Sequence, residues 1–386
     1  MNIAFLMDGF GVGGTELNAA RTLEALARRD VHTTVMHLQA DGPLRARIAD
    51  AGHHLIHVPI APLWHPQIVS SIISLKRELR KARATVLHSQ DIYSNIVGVM
   101  AGKMHGQLPV LTSRRWVAEV PNRALLPMNA WAHRLSTLVL PNSNALFSTL
   151  QSEGVPSKKI LLHENFVDES ALTLLTAESR HQWRNELNVP KGALIVGCVA
   201  RLSRVKRHDI LLRSFAHVAI AIPAAILMLV GDGDLRGVLE ELVIELDLQK
   251  RVLFTGTLPN SPLTQQIFDV AVLTSENEGF PNSLVEAAAV GVPMVSTRVG
   301  GVPDILLDGV TGVEIAIGDE WSTADALITL LRDNTLRERM GRAARTLAIN
   351  RFSETAAIDR LIAIYRRTSC RYSRSASVSF PVKATA

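Results

Sequence analysis

Two carboxylates separated by seven residues, Glu278 and Glu286, bracket a proline and the start of a short helix in the stretch from Thr274 to Leu306. The apolar run Val270 to Leu273 reads as a strand and Thr274 to Phe280 as a polar loop. Pro281 then stands where a first helical turn needs no N–H. The backbone N–H groups near Asn282, Ser283 and Leu284 converge on one spot backed by the positive end of a helix dipole, which suits a phosphate. Carboxylates are poor neighbours for that phosphate but good acceptors for hydroxyls, as on a sugar or a ribose. Taken singly, each glutamate reads as a solvated group on a capped surface helix; together they describe a crevice for a phosphate and hydroxyls. Arg201 and Lys206 follow another apolar run, Leu194 to Val199, and two cations at the carboxyl end of a strand can neutralise a diphosphate. Arg204 and Arg207 in the same segment are read as solvated.

The nonapeptide Glu278-Gly279-Phe280-Pro281-Asn282-Ser283-Leu284-Val285-Glu286 resembles the E-x7-E motif of the retaining, nucleotide-sugar-dependent glycosyltransferases of family 4. The resemblance extends from a glycine loop at Gly13 to about Arg367. It implies an α/β chain of GT-B fold, with two Rossmann-like domains facing each other across a cleft. Catalytic roles would fall to Arg201, Lys206 and Glu278, with Glu278 holding sugar hydroxyls. The donor would be bound by Gly13, Gly14, Gly231, Gly279, Phe280, Asn282, Ser283, Leu284 and Glu286, the last on the ribose. His88, Asp91, Arg114 and Arg115 would line the acceptor side. Arg114 and Arg115 stand where a common family pattern has a histidine, and they suit an acceptor phosphate or carboxylate; a pair of solvated arginines is the alternative. The resemblance also implies that Gly231-Asp232-Gly233-Asp234 is a glycine turn and not a metal-binding D-x-D, so no metal or other cofactor is expected. Phe254 to Thr257 would wall the nucleotide base. The implied reaction moves a sugar from a nucleoside diphosphate to a saccharide or lipid-linked acceptor, in cell-surface polysaccharide or glycolipid assembly. A sugar-nucleotide 2-epimerase of the same fold and a non-catalytic nucleotide-sugar-binding paralogue remain as alternatives.

The elements that must position these residues follow from the hydropathy pattern. With 386 residues, the chain is long enough for two domains, each with its own core. Short apolar runs alternate with amphipathic segments, as in a parallel sheet covered by helices. In the first half the strands expected are Ile3 to Met7, Val31 to Leu38, Leu55 to Val58, Thr85 to Leu87, Val110 to Thr112 and Leu138 to Leu140. In the second they are Leu194 to Val199, Ile226 to Val230, Val252 to Phe254, Val270 to Leu273 and Met294 to Ser296. Three helices are expected at Thr323 to Leu331, Leu336 to Ile349 and Ser353 to Arg367. This places one domain at residues 1–168 and a nucleotide-sugar domain at 190–352. The helix at about 353–367 would pack back on the first, ahead of a disordered basic tail at 372–386.

Gly9 to Gly14 fits G-x-G-x-x-G between a strand and a helix, which alone would also suit a nicotinamide cofactor. The second strand, however, runs into His37-Leu38-Gln39-Ala40 with no acid closing it. His53, His54 and His57 have no cysteine or carboxylate cluster beside them and read as ordinary histidines. The two cysteines, Cys198 and Cys370, offer no disulfide framework.

Charge is uneven. Residues 1–165 carry 17 Lys and Arg against 11 Asp and Glu, and residues 166–365 carry 19 against 25. A basic first half suggests a peripheral contact with an anionic membrane surface, and the segment Gln67 to Arg83, preceded by Trp64, offers both a basic helix end and a membrane-surface helix. No motif supports nucleic-acid binding. No apolar run reaches the roughly 18 residues of a spanning helix, and the N-terminus does not read as a signal peptide. The expected location is the cytoplasm, with peripheral contact at the inner face of the membrane.

Overall fold

A computed structural model of the chain describes residues 1–106, 108–116, 124–258 and 261–378. Contacts divide the chain into two units, one of Met1–Asn165 with the segment from Thr355 onward, the other of Phe166–Glu354.

The first unit holds six parallel strands: β1 Ile3–Met7, β2 Thr34–His37, β3 His54–His57, β4 Val86–Ser89, β5 Val110–Arg114 and β6 Leu138–Pro141. They lie in the order β3-β2-β1-β4-β5-β6. The second unit builds the same topology from β7 Leu194–Val199, β8 Ala225–Val230, β9 Val252–Gly256, β10 Val270–Leu273, β11 Met294–Thr297 and β12 Gly312–Ile315. Its order is β12-β11-β10-β7-β8-β9. Strands buried on both faces read as near-continuous apolar runs, which is why β1, β8 and β10 are so legible and are buried throughout. In each sheet the order reverses beside the first strand, so the loops after β1 and β4, and those after β7 and β10, leave the carboxyl edge side by side. Such switch points are where doubly wound sheets bind ligands.

Three sequence expectations need correcting. The second strand starts at Thr34, not Val31, because the preceding helix closes with Asp30 at φ 55° and the Val31 N–H bonded to the Leu26 carbonyl. Strand β12 is four residues with Glu314 among them and only its ends buried, and the helix Ala177–Glu186 has no buried residue; neither carries an apolar signal to read. The chain after Tyr372 is not irregular: one helix runs Glu354–Val378, uninterrupted by glycine or proline. Residues 379–386 of the expected tail lie outside the described residues. Among the described residues no helix is long and apolar enough to cross a membrane.

Candidate functional site

At the switch point of the second unit, β7 and β10 pair with Val196 opposite Val270. The loop after β7 makes a short 3-10 turn, Arg204–Lys206, and passes through Arg207 into the helix His208–Ala221. The loop after β10 leads through Pro281 into the helix Asn282–Ala289. Between them Lys206 Nζ donates to Glu278 Oε1 at 2.6 Å. Ser275 Oγ donates to the same oxygen, also at 2.6 Å. Glu278 is 8 % exposed and the Lys206 side chain 22 %. A carboxylate so far from water is tolerable only when paired and hydrogen-bonded, and here one oxygen takes both donors.

The backbone behind Glu278 is equally constrained. Gly300 has φ 49°, and a Cβ there would overlap the Glu278 carbonyl oxygen; that oxygen accepts from the Gly301 N–H at 3.2 Å. Glycine is therefore required for the Gly300-Gly301 turn to lie against the glutamate. Gly231, at φ 136°, does the same for the loop after β7, since a Cβ on it would overlap the Ala200 carbonyl oxygen. Beside that contact Arg201 is mostly exposed and donates to Asp234 Oδ2 at 3.1 Å. Asp232 accepts from the Gly233 N–H and from Arg236. Both aspartates of the Gly231–Asp234 turn thus face cations.

The predicted donor residues separate into two groups. Glu286 is buried in the helix one turn beyond its start, and Gly279, Asn282 and Ser283 are half-buried on the loop and first turn. The Phe280 and Leu284 side chains are buried in the core. Phe280 packs edge-on against Phe352 with ring centroids 5.6 Å apart, and Leu284 is 1 % exposed. The Leu284 N–H is also not open to a phosphate, because the Pro281 carbonyl accepts it at 3.1 Å. Arg207, read as solvated, is three-quarters buried. It donates to both Asp209 oxygens and to Glu276 Oε1, and these carboxylates raise its pKa. Phe254 lies under the Arg236 guanidinium.

Gly13 and Gly14 belong to the first unit, where Gly13 caps the helix Gly14–Ala27. Three of the four acceptor-side residues of that unit are interior. His88 is fully buried, its Nδ1 2.6 Å from the Tyr365 hydroxyl and its Nε2 2.9 Å from Ser113 Oγ. Burial holds its pKa well below the usual value, with the Arg115 charge adding to the effect. Arg115 donates to Gln90 Oε1 and, at 2.7 Å, to Asn165 Oδ1, and burial lowers its pKa to about 10. Arg114 is 2 % exposed, stacked on Trp116 and paired with Glu153. These side chains tie β4, β5 and the helix Glu354–Val378 together and are not solvated. Both faces of this parallel sheet are covered, so the consecutive residues Arg114 and Arg115 are both buried whichever way they point.

Asp91 is the one acceptor-side residue left at the edge. It caps the helix Ile92–Met104 by accepting the Ile92 N–H, with Ser94 completing a capping box. Sequence reading missed its neighbour Asp8, at the end of β1, which accepts the N–H groups of Ser94 at 2.7 Å and Tyr93 at 3.1 Å. Burial raises Asp8 to about 6 against those hydrogen bonds, and Glu16 raises it further. Burial and Asp8 in turn raise Asp91 well above the carboxylate range. The signal for Asp8 was its place: an acid between an apolar strand and a glycine loop.

Comparison with known proteins agrees with this architecture. Residues 12–171 match the family model Glycosyltransferase Family 4, and residues 179–347 match Glycosyl transferases group 1. The N-acetyl-alpha-D-glucosaminyl L-malate synthase of Bacillus anthracis is 32% identical over 60% of this chain and 59% of its own length. The lipopolysaccharide core biosynthesis glycosyltransferase LpsE of Rhizobium meliloti is 31% identical over 46% of this chain and 51% of its own. The chain thus spans little more than half the length of these curated relatives. Among solved structures, Anabaena Alr3699/HepE in complex with UDP superimposes with a TM-score of 0.85 at 21% identity, over 95% of this chain and 100% of that one. With two family models laid in succession along a doubled 3-2-1-4-5-6 sheet, the chain belongs to the family 4 glycosyltransferases of GT-B fold.

Proposed function

We propose that this chain transfers a sugar, with retention, from a nucleoside diphosphate to a hydroxyl of a saccharide or lipid-linked acceptor, in cell-surface polysaccharide or glycolipid assembly. The observation that carries the reading is the Lys206–Glu278 pair at the switch point of the second sheet, 2.6 Å apart and largely withdrawn from water. As the bond between sugar and diphosphate breaks, negative charge grows on the phosphates. A fixed cation stabilises that charge more in the transition state than in the ground state. Lys206 is assigned this role, with Arg201, exposed and paired with Asp234, as a second cation. Glu278 keeps Oε1 on Lys206 and Ser275, so Oε2 is the atom assigned to sugar hydroxyls. Glu286 is assigned to the ribose. No metal is needed, since the cations do the neutralising.

Names of the relatives add to the reading: one is called a glucosaminyl L-malate synthase, another a lipopolysaccharide core glycosyltransferase, and a structural neighbour was solved with UDP. A uridine donor is accordingly the first to try. The alternatives, an epimerase or a non-catalytic paralogue, are separated from transfer by one assay. Purified protein is incubated with UDP-, GDP- and ADP-sugars, with and without membrane extract as acceptor, in EDTA. Acceptor-dependent release of nucleoside diphosphate supports transfer. Conversion of the donor with no acceptor present would replace it with epimerisation, and tight binding without turnover would leave a binding protein.

Peripheral membrane contact belongs to the same proposal. On the helix Ile68–Lys81, Val69 and Ile73 are exposed on one face, with exposed Trp64 ahead of it and Arg77, Arg80 and Lys81 exposed toward its end. An apolar stripe running into a basic one fits an anionic surface. Loss of binding to phosphatidylglycerol vesicles in Arg77→Glu/Arg80→Glu is the expected result, and undiminished binding would remove the contact.

A further inference from the structure

The site reading leaves one strained residue unused. Arg207 is the residue directly after Lys206, and it sits at φ 49°, ψ 47°, the left-handed region that a side chain with a Cβ rarely adopts. Its side chain is fully engaged, with Nε 3.0 Å from Asp209 Oδ1, Nη2 2.9 Å from Asp209 Oδ2 and Nη1 2.5 Å from Glu276 Oε1. The loop that carries Glu276 is stitched to the lysine loop by backbone as well. The Glu276 N–H donates to the Val205 carbonyl at 2.8 Å, and Thr274 Oγ1 donates to the carbonyls of Lys206 and Arg207 at 3.2 and 3.0 Å. The same loop then supplies Ser275, anchored by Thr297 Oγ1 on its carbonyl at 2.6 Å, and finally Glu278.

We infer that Arg207, Glu276 and Thr274 form a clip that fixes the lysine loop to the glutamate loop, so that Lys206 meets Glu278 in one geometry before any donor arrives. Arg207 and Glu276 are positioning residues: they touch neither reacting atom, and act through the lysine on one side and the Ser275–Glu278 turn on the other. A left-handed arginine is tolerated here because its guanidinium is what closes the clip. Glycine would take the backbone more easily but would leave the two loops joined only through Thr274, one N–H and the Lys206–Glu278 pair itself.

The inference rests on the proposed function for its catalytic meaning but not for its test. The full chain is treated with acetic anhydride at low excess, and acetylation of Lys206 is followed by mass spectrometry in wild type, Arg207→Gly and Glu276→Ala. Arg207→Gly keeps the backbone conformation, and Glu276→Ala alters a half-exposed side chain, so both are expected to fold; circular dichroism checks this. With the clip open, Lys206 should be acetylated about three- to tenfold faster in both variants, and the double variant should add little to either. Rates equal to wild type would overturn the clip whatever reaction the protein performs. In a transfer assay, both variants should lower kcat more than they raise the donor KM, since the lysine acts chiefly on the departing diphosphate. A change in KM alone would overturn the positioning role, whereas a wild type inert with every donor would overturn the function and leave the acetylation result standing.

Discussion

The two units finish the same sheet differently at the same place. At the switch point of the second, Lys206 faces Glu278; at that of the first, burial raises both Asp8 and Asp91, and the Asp8 charge raises Asp91 further. An opposite-charge pair is stable as it stands, each partner satisfying the other. A like-charge pair avoids repulsion by retaining a proton, and so offers a hydroxyl both a donor and an acceptor. The contrast extends beneath the edges. The second unit is filled by one continuous apolar cluster, while the first divides its apolar core into smaller clusters and buries His88, His133, His163, Arg114 and Arg115 among them. One topology therefore carries an opposite-charge pair at one switch point and a like-charge pair at the other.

The largest effect expected from breaking this contrast is on turnover. Lys206→Ala should lower the transfer rate by about two to three orders of magnitude with the fold retained; a near-normal kcat would remove the lysine from the mechanism. Next comes acid stability. Burial lowers His133 and His163 to about 3, chiefly by excluding the charged ring. Between pH 3 and 6.5 the unfolded chain binds more protons at these positions, so stability is full above 6.5 and is lost as pH falls toward 3. Amide exchange should show the first unit opening before the second in this window, and simultaneous opening would count against the comparison.

Asp8 works in the opposite sense. Its folded carboxyl holds a proton up to about pH 6, whereas an unfolded one releases it near the ordinary 3.8, so it costs stability as pH rises between them. Asp8→Asn should accordingly steepen the gain in Tm from pH 4 to 6, and an unaltered slope would mean the pair is not proton-sharing. The smallest change is Tyr365→Phe, which removes the partner of His88 Nδ1. Roughly 1 kcal/mol of stability should go with the hydrogen bond, with nucleoside diphosphate affinity untouched; weakened affinity would show that the lattice reaches the donor site.

Much of this was open to reading in one dimension. β7 and β10 stand where their apolar runs predicted, and the turn at Gly231 and the helix start at Asn282 follow from glycine and proline. Period and punctuation are local properties, and local steric rules act on them before any packing occurs. The burial and partners of Phe280, His88, Arg114 and Arg115 were not legible, because each depends on what remote segment meets the side chain in the fold. Tyr365 reaches His88 across 277 residues, and Phe352 meets Phe280 only in the folded second unit.

What the chain determined by itself was the inventory and its order: two doubly wound halves, the glycine turns, and the Glu278 to Glu286 motif at the end of a strand. Tertiary structure alone decided which charges face each other. Lys206 and Glu278 are 72 residues apart, and Asp8, on the loop after β1, meets Asp91, on the loop after β4. Parallel pairing of β7 with β10 and of β1 with β4 brings each pair to one edge. Electrostatic interaction depends on distance and burial, neither of which exists until the sheets have formed.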